Sequence, residues 1–358
     1  MVSGFAVLLS LGAMELMIRA FVPVRNVGPY FSTYDPYYGK VLKPKSSVVR
    51  TAPEFTMRFT TNSDGFRGPE IGSLENGSIL FLGDSFTMGY GVTDGEEYPA
   101  LVRSHFDGIN TENRLEIINA GMGNNGNGRP LKFLRRQARH LNPRLIVVQI
   151  HETDFADNVN EGLFTLDEHS NLIELPVRPP GTSRKLEMIV ARVPALSHSH
   201  LFCLFRGLAK QVRENRMAPV TSGQQEGDMK QYILENRLMI ALQSEILSTA
   251  RESGWPMLVL LAGVDGDRLE MFTRLFSKRG VAVISLPSRR ERPDLYFEVD
   301  GHWNSEGHAF VAGRVLAAIK ELDHTKNAGA GVLCGDDRNR DRRSSSAVHR
   351  KPRCRARG

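Results

Sequence analysis

A chain of 358 residues, 41% hydrophobic and 24% charged, can bury one large core or a core with a small accessory region, and its composition is that of a globular domain. The formal charge of +6 does not mark a nucleic-acid-binding fold, because the excess sits at one end: residues 326–358 carry ten Lys or Arg against three Asp, leaving 36 basic and 37 acidic residues before them. The three cysteines, Cys203, Cys334 and Cys354, supply neither a disulfide framework nor zinc-ligand spacing, so no metal, cofactor or nucleic-acid partner is expected.

Residues Val2 to Ile18 are apolar on every face apart from Glu15, and Arg19 closes the run. Such a segment is long enough to span a bilayer, and because it is apolar on every face residues 1–22 are read as a transmembrane anchor in preference to the alternative, a buried amphipathic helix. No basic stretch precedes it and no small-residue cleavage site follows, which argues against a cleaved signal peptide. Arg19 and Arg25 lie after the segment and by themselves favour a cytoplasmic domain. Residues 23–76 form an extension rich in Pro, Gly, Tyr and Thr, with short strands around the alternating stretch Phe55 to Thr60.

Five short apolar runs follow: Ile79–Leu82, Leu115–Ile118, Leu145–Ile150, Met257–Leu261 and Val281–Leu286. Runs of this length separated by helical segments predict strands buried on both faces of a parallel sheet. The expected architecture is a three-layer α/β/α sandwich with a five-stranded parallel sheet over residues 77–325. Residues 155–227 form an insertion between the third and fourth runs, with a helix expected over Lys185–Val212, and a second helix is expected over Asp228–Ser253. The last helix is placed at Ser305–Leu322 with Asn304 as N-cap, and residues 326–358 are read as a disordered basic tail.

Polar blocks follow four of the runs, at the carboxyl edge where open α/β sheets bind ligands. The first is Gly83-Asp84-Ser85-Phe86-Thr87, in which Ser85 is either a nucleophile or a helix N-cap. The second, Asn119-Ala120-Gly121, offers either a backbone donor for an oxyanion or only a tight turn. The third is His151-Glu152-Thr153-Asp154, whose side chains converge on the same edge or cap the next segment. The fourth, Asp300-Gly301-His302, pairs a carboxylate with an imidazole, the combination that activates a serine hydroxyl. The joint occurrence of these blocks points to a serine enzyme.

Together they resemble the SGNH (GDSL) hydrolases over about Tyr34 to Asp323, including the upstream stretch Thr61-Asn62-Ser63-Asp64-Gly65-Phe66-Arg67-Gly68 found in membrane-anchored bacterial members. The resemblance implies a flavodoxin-like fold, a triad of Ser85, His302 and Asp300, an oxyanion hole of Ser85, Gly121 and Thr153, and supporting roles for Asp84 and Asp154. It also implies a single-pass bacterial membrane protein with an extracytoplasmic, periplasmic catalytic domain, against the charge pattern above. Two positions depart from the family. Thr153 stands where an Asn amide usually donates to the oxyanion; a poor donor there costs about 10²–10³ in rate. Asp300-x-His302 is one residue shorter than the usual Asp-x-x-His and resembles the exopolysaccharide O-acetyltransferase branch, where an acetyl group moves to a sugar hydroxyl.

The expected function is therefore hydrolysis of O-acyl esters, O-acetyl esters of carbohydrate foremost, with acyl transfer to a glycan as the alternative. A catalytically dead carbohydrate-binding relative is a further reading. Gly121-x-Gly123-x-x-Gly126, with Glu152 after the next strand, also spells a dinucleotide fingerprint, but Gly128 and Pro130 intervene before a helix can begin. A metal site from His302, Glu306 and His308 is disfavoured by the six-residue separation of the histidines.

Overall fold

The computed structural model describes residues 2–107, 115–123, 125–181, 189, 193–217 and 224–331. It forms two compact units, Met1–Leu316 and Ala317–Gly358, the second described only over the end of its long helix. In chain order the elements are α1 (Val2–Phe21), β1 (Ser32–Asp35), β2 (Gly39–Leu42), β3 (Ser47–Thr51), β4 (Thr56–Thr60), β5 (Ser78–Leu82), α2 (Ser85–Met88), α3 (Tyr98–Asp107), β6 (Glu116–Asn119), α4 (Gly128–Arg136), β7 (Pro143–His151), α5 (Asp154–Glu161), β8 (Phe164–Leu166), β9 (Leu172–Glu174), α6 (Pro194–Ser197), α7 (His200–Met217), α8 (Gln224–Glu252), β10 (Met257–Ala262), α9 (Gly266–Ser277), β11 (Ala282–Leu286) and α10 (Ser305–Gly331).

The five apolar runs are the five strands of one parallel sheet, in the order β6-β5-β7-β10-β11. All residues of β5, β6 and β10 are buried, which is why these strands read as unbroken hydrophobic runs rather than alternating ones. Alternate residues feed opposite layers. Leu80, Leu82, Ile146, Val148 and Ile150 pack with Leu131, Phe155, Met239 and Phe272 from α4, α5, α8 and α9. Phe81 points the other way, its ring 5.4 Å from that of Tyr98 on α3, and Tyr98 in turn meets Trp303 at 6.2 Å, just before α10. The result is the three-layer α/β/α sandwich.

The extension before β5 is built of two antiparallel hairpins, β1–β2 and β3–β4. In β3 and β4 buried and exposed residues alternate, and Phe31, Met57, Phe59 and Met88 form a second small core beneath them. Arg67, from the Thr61–Gly68 stretch, is fully buried behind the loop that follows α2. Its guanidinium donates to the carbonyls of Met88, Gly89 and Val92 and pairs with Asp94 at 3.1 Å. The extension is thus bolted to the segment that carries the first polar block.

Several boundaries differ from expectation. Helix α5 belongs to the core layer, since Phe155 is fully buried against Phe272, so the insertion leaves the sandwich only after Glu161. The single helix expected over Lys185–Val212 is interrupted: α6 ends at Ser197 and α7 starts at His200, while residues 182–188 and 190–192 lie outside the described residues. The restart has a physical cause, because Ser199 Oγ accepts the Phe202 N–H and Glu15 accepts those of His200 and Leu201, giving α7 its own cap. The final helix continues past Leu322 to Gly331, through a stretch without proline. The remainder of the basic tail, with Cys334 and Cys354, lies outside the described residues.

Candidate active site

Strand β5 delivers the chain to the carboxyl edge at Leu82, where a Cβ on Gly83 would overlap Gln149 and Thr87, so glycine alone leaves room for both side chains. Asp84 Oδ1 accepts the Phe86 N–H at 2.8 Å and so caps α2. The capping role that Ser85 could have filled is therefore taken by its neighbour. Ser85 occupies the first helical position with its hydroxyl free for other work.

That hydroxyl meets His302, with Ser85 Oγ to His302 Nε2 at 2.8 Å. On the other side of the ring, His302 Nδ1 lies 2.5 Å from Asp300 Oδ1. The carboxylate can only accept, so the pattern assigns the imidazole proton to Nδ1 and leaves the Nε2 lone pair facing the serine. The two side chains are 23% and 17% exposed, open enough for substrate and enclosed enough to hold one orientation. Phe86 and Tyr90 flank the His302 ring, with centroids 4.8 and 5.0 Å away.

The loop bearing this pair is held from outside the sheet. Glu54, in the turn between β3 and β4, accepts the N–H of Val299 at 2.9 Å and that of Asp300 at 2.7 Å. Phe55 beside it packs against Phe297 at 4.9 Å and Tyr90 at 5.5 Å. No motif in the sequence singles out Glu54, which lies 246 residues from its partner. Arg67 was within reach of sequence reasoning, since it belongs to the stretch that carries the family resemblance.

The three expected oxyanion donors are arranged differently from one another. The Ser85 N–H makes no hydrogen bond among the described residues and lies at the start of α2. The Gly121 N–H is directed instead to Asn119 Oδ1 at 3.1 Å, and the glycine is required because a Cβ there would overlap the backbone of Thr87 and Met88. Thr153 is turned toward His151, its hydroxyl 2.8 Å and its N–H 3.2 Å from Nδ1. Both Thr153 donors thus have a histidine two residues upstream as their partner.

His151 stacks on the face of Phe86 at 4.2 Å, and burial, with a contribution from the nearby His302, pushes its pKa down to about 4. Asp154 accepts the His151 N–H at 2.9 Å and is fully buried near Asp84. Burial raises both carboxyls, Asp84 to about 6 and Asp154 well above the ordinary range, with Asp84 pushing Asp154 further up. Asp84 and Asp154 therefore brace the ends of β5 and β7, and among the described residues neither hydrogen-bonds to His302, whose charge only offsets part of the rise at Asp84.

Other sequence candidates find structural uses. His308 is buried beside Tyr98 and Trp303, its Nδ1 accepting the Tyr98 N–H at 3.3 Å, while Glu306 is exposed. No grouping of three or more His, Cys, Asp or Glu side chains suited to a metal occurs among the described residues. Gly126 lies in the loop ahead of α4, its backbone against Asn158, so the third glycine of the fingerprint does not open a helix. A cavity of about 320 Å³ lies beneath β1–β2, lined by Tyr38, Phe66, Gly121, Met122 and Asn125 among others, but Ser85 is not on its wall.

No family model and no curated protein matches the chain. Among solved structures, similarity extends to a lipolytic protein of the G-D-S-L family from Desulfitobacterium hafniense DCB-2, with 9% identity, 66% of this chain and 95% of that chain covered, and a TM-score of 0.38. The acetyl xylan esterase AlAXEase is similar at 12% identity over 68% of this chain and 99% of that one, with a TM-score of 0.41. An acetylxylan esterase from Geobacillus stearothermophilus is similar at 12% identity over 67% and 93%, with a TM-score of 0.37.

Proposed function

We propose that this protein is a serine-dependent ester hydrolase of the GDSL type, acting on O-acyl esters with O-acetylated carbohydrate as the substrate class. One observation carries the reading: the continuous line of hydrogen bonds from Asp300 through His302 to Ser85, at 2.5 and 2.8 Å. In the first half-reaction His302 Nε2 takes the Ser85 proton as Oγ attacks the ester carbonyl. The tetrahedral oxyanion collapses, the alkoxide leaves with the proton from His302, and the acyl group remains on Ser85. In the second half, water gives its proton to His302 and attacks the acyl carbon, releasing the acid and restoring Ser85. Asp300 holds the tautomer and stabilises the imidazolium that forms twice per cycle.

The Ser85 N–H supports the oxyanion. Gly121 would join it by releasing Asn119, and Thr153 by releasing His151, so substrate has to reorganise a hole that is only partly prepared. The short Asp300-x-His302 spacing supports a second reading, in which a sugar hydroxyl replaces water and the acyl group is transferred. Helix α1 is long and apolar enough to cross a membrane. We place it there as an anchor, with the catalytic domain outside the cytoplasm as the family resemblance implies.

A fluorophosphonate probe is expected to label the wild type and not Ser85→Ala, and hydrolysis of p-nitrophenyl acetate should fall at least roughly 10³-fold in the variant. Equal labelling of the two proteins would sink the assignment. Incubating the acyl-enzyme with oligosaccharide then separates transfer from hydrolysis by the product formed.

A further inference from the structure

At 1.5 Å per residue the 20 residues of α1 extend about 30 Å, the thickness of a bilayer's hydrocarbon core. From Gly4 onward every one of its side chains is exposed except Glu15, which is intermediate, and Ile18, which is buried. Those two exceptions show what the foot of the helix touches. Glu15 accepts from Ser199 Oγ at 2.8 Å and from the His200 and Leu201 N–H groups at 2.9 Å, while Arg19 donates to the His198 carbonyl at 3.1 Å. Ile18 packs with Val24, Val27 and Cys203. The charged residues inside the apolar run therefore fasten the start of α7 to the last turns of α1.

Helix α7 directs Cys203 inward and three large apolar side chains outward. Phe205 is 59% exposed, Leu208 47% and Val212 51%, at spacings of three and four that set them on one face. The helix sequence also carries Lys210, Arg213 and Arg216 against the single acid Glu214, while Arg206 turns back to the body of the protein and donates to the Asn26 carbonyl at 2.9 Å. An apolar stripe on a helix of basic composition, attached to the side of a bilayer-length helix, has the chemistry of a segment lying in an anionic lipid interface.

The chain leaving α1 runs straight to the catalytic loop. Arg25 donates to the Val299 carbonyl at 3.4 Å, and Asn26 Oδ1 accepts from Tyr90 Oη at 2.5 Å, the tyrosine whose ring lies against His302. Asn26 is five residues beyond Phe21, a span of at most about 18 Å even when fully extended. With α1 across the membrane, this tether holds the site close to the headgroup layer.

We propose that the Ser85 site works at the membrane surface, with the outer face of α7 seated in an anionic bilayer beside α1, on an ester whose acyl or lipid-linked end rests in that bilayer. The proposal builds on the esterase reading and on the placing of α1 given above. It names the phase from which the acyl donor comes, and the lipid itself as the partner of the Phe205, Leu208 and Val212 face.

The test uses the full chain in vesicles of phosphatidylcholine and phosphatidylglycerol. Leu208→Trp and, as control, Glu270→Trp on α9, whose side chain is 70% exposed, are compared for quenching of the added fluorescence by brominated lipid. Quenching is expected at 208 and not at 270; an unquenched 208, or its protection only when a second protein is present, overturns the docking surface. In parallel, Phe205→Glu with Leu208→Glu should lower turnover of vesicle-borne p-nitrophenyl palmitate about tenfold, while p-nitrophenyl acetate in solution changes by less than about twofold. Equal loss on both esters, or loss on neither, overturns the substrate assignment. A wild type inactive on acetate and unlabelled by fluorophosphonate would instead remove the esterase reading, and the quenching result distinguishes that failure from failure of the membrane surface.

Discussion

Two histidines pack against Phe86 in opposite surroundings. His302 has a carboxylate at Nδ1 and a hydroxyl at Nε2, so its charged form has a partner when it forms. His151 is stacked on Phe86, its ring meeting no carboxylate among the described residues, and burial holds its pKa down at about 4. A lowered histidine pKa means that the folded protein binds fewer protons than the unfolded chain below the ordinary value of 6.5. The stability contributed by neutral His151 is thus present above that value and lost as pH falls through about 4. We expect NMR titration of labelled histidine to show His151 neutral at pH 5, with its proton on Nε2 because Thr153 donates to Nδ1. A midpoint at or above pH 6 would contradict this environment. At this scale the sequence singled out Ser85, Asp300 and His302 as candidates because each stands in a short block with its own chemical logic. It did not identify the engagement of Thr153, since two residues so close in sequence can face each other or diverge, depending on how the end of β7 turns.

At the scale of elements, the β3–β4 hairpin acts as a prop for the loop bearing Asp300 and His302. Glu54 binds two successive backbone N–H groups just ahead of His302, so its carboxylate fixes where Asp300 begins. Glu54→Ala is expected to lower kcat for p-nitrophenyl acetate about tenfold with KM little changed, because loop position affects the proton-transfer geometry more than ground-state binding. Glu54→Gln should recover part of the loss through its remaining carbonyl acceptor. A fall confined to thermal stability, with kcat intact, would show that the hairpin only buttresses the fold. The alternation Phe55 to Thr60 announced a strand here, since half-buried β structure imposes a period of two. What the turn of that hairpin would touch had no such periodic signal. The break between α6 and α7 was hidden for a related reason: the residue that caps α7, Glu15, lies some 185 positions away.

In the whole molecule, the strand order β6-β5-β7-β10-β11 sets β5, β7 and β10 in the interior of the sheet, with both edges hydrogen-bonded to neighbours. Their amides are expected to exchange slowest in hydrogen-exchange mass spectrometry, and those of the two-stranded hairpins β1–β2 and β8–β9 fastest among the strands, because local opening there breaks few buried contacts. Slow exchange in β8–β9 to match the central sheet would show that the insertion is cooperative with the core. The sequence by itself determined the number of central strands, the layered architecture and the three residues of the candidate triad. Each of these is written in a contiguous segment: double-sided burial demands a short apolar run, and the chemistry at a strand end is carried by the few residues that follow it. Only the tertiary structure decided that Ser85 and His302, 217 residues apart, meet at 2.8 Å, that Glu54 steadies the loop of Asp300 and His302 and that the segment after α1 reaches the same loop. Those are pairings through space between distant segments. Their free energy comes from mutual fit on closing the fold, and it leaves no periodicity in either segment taken alone.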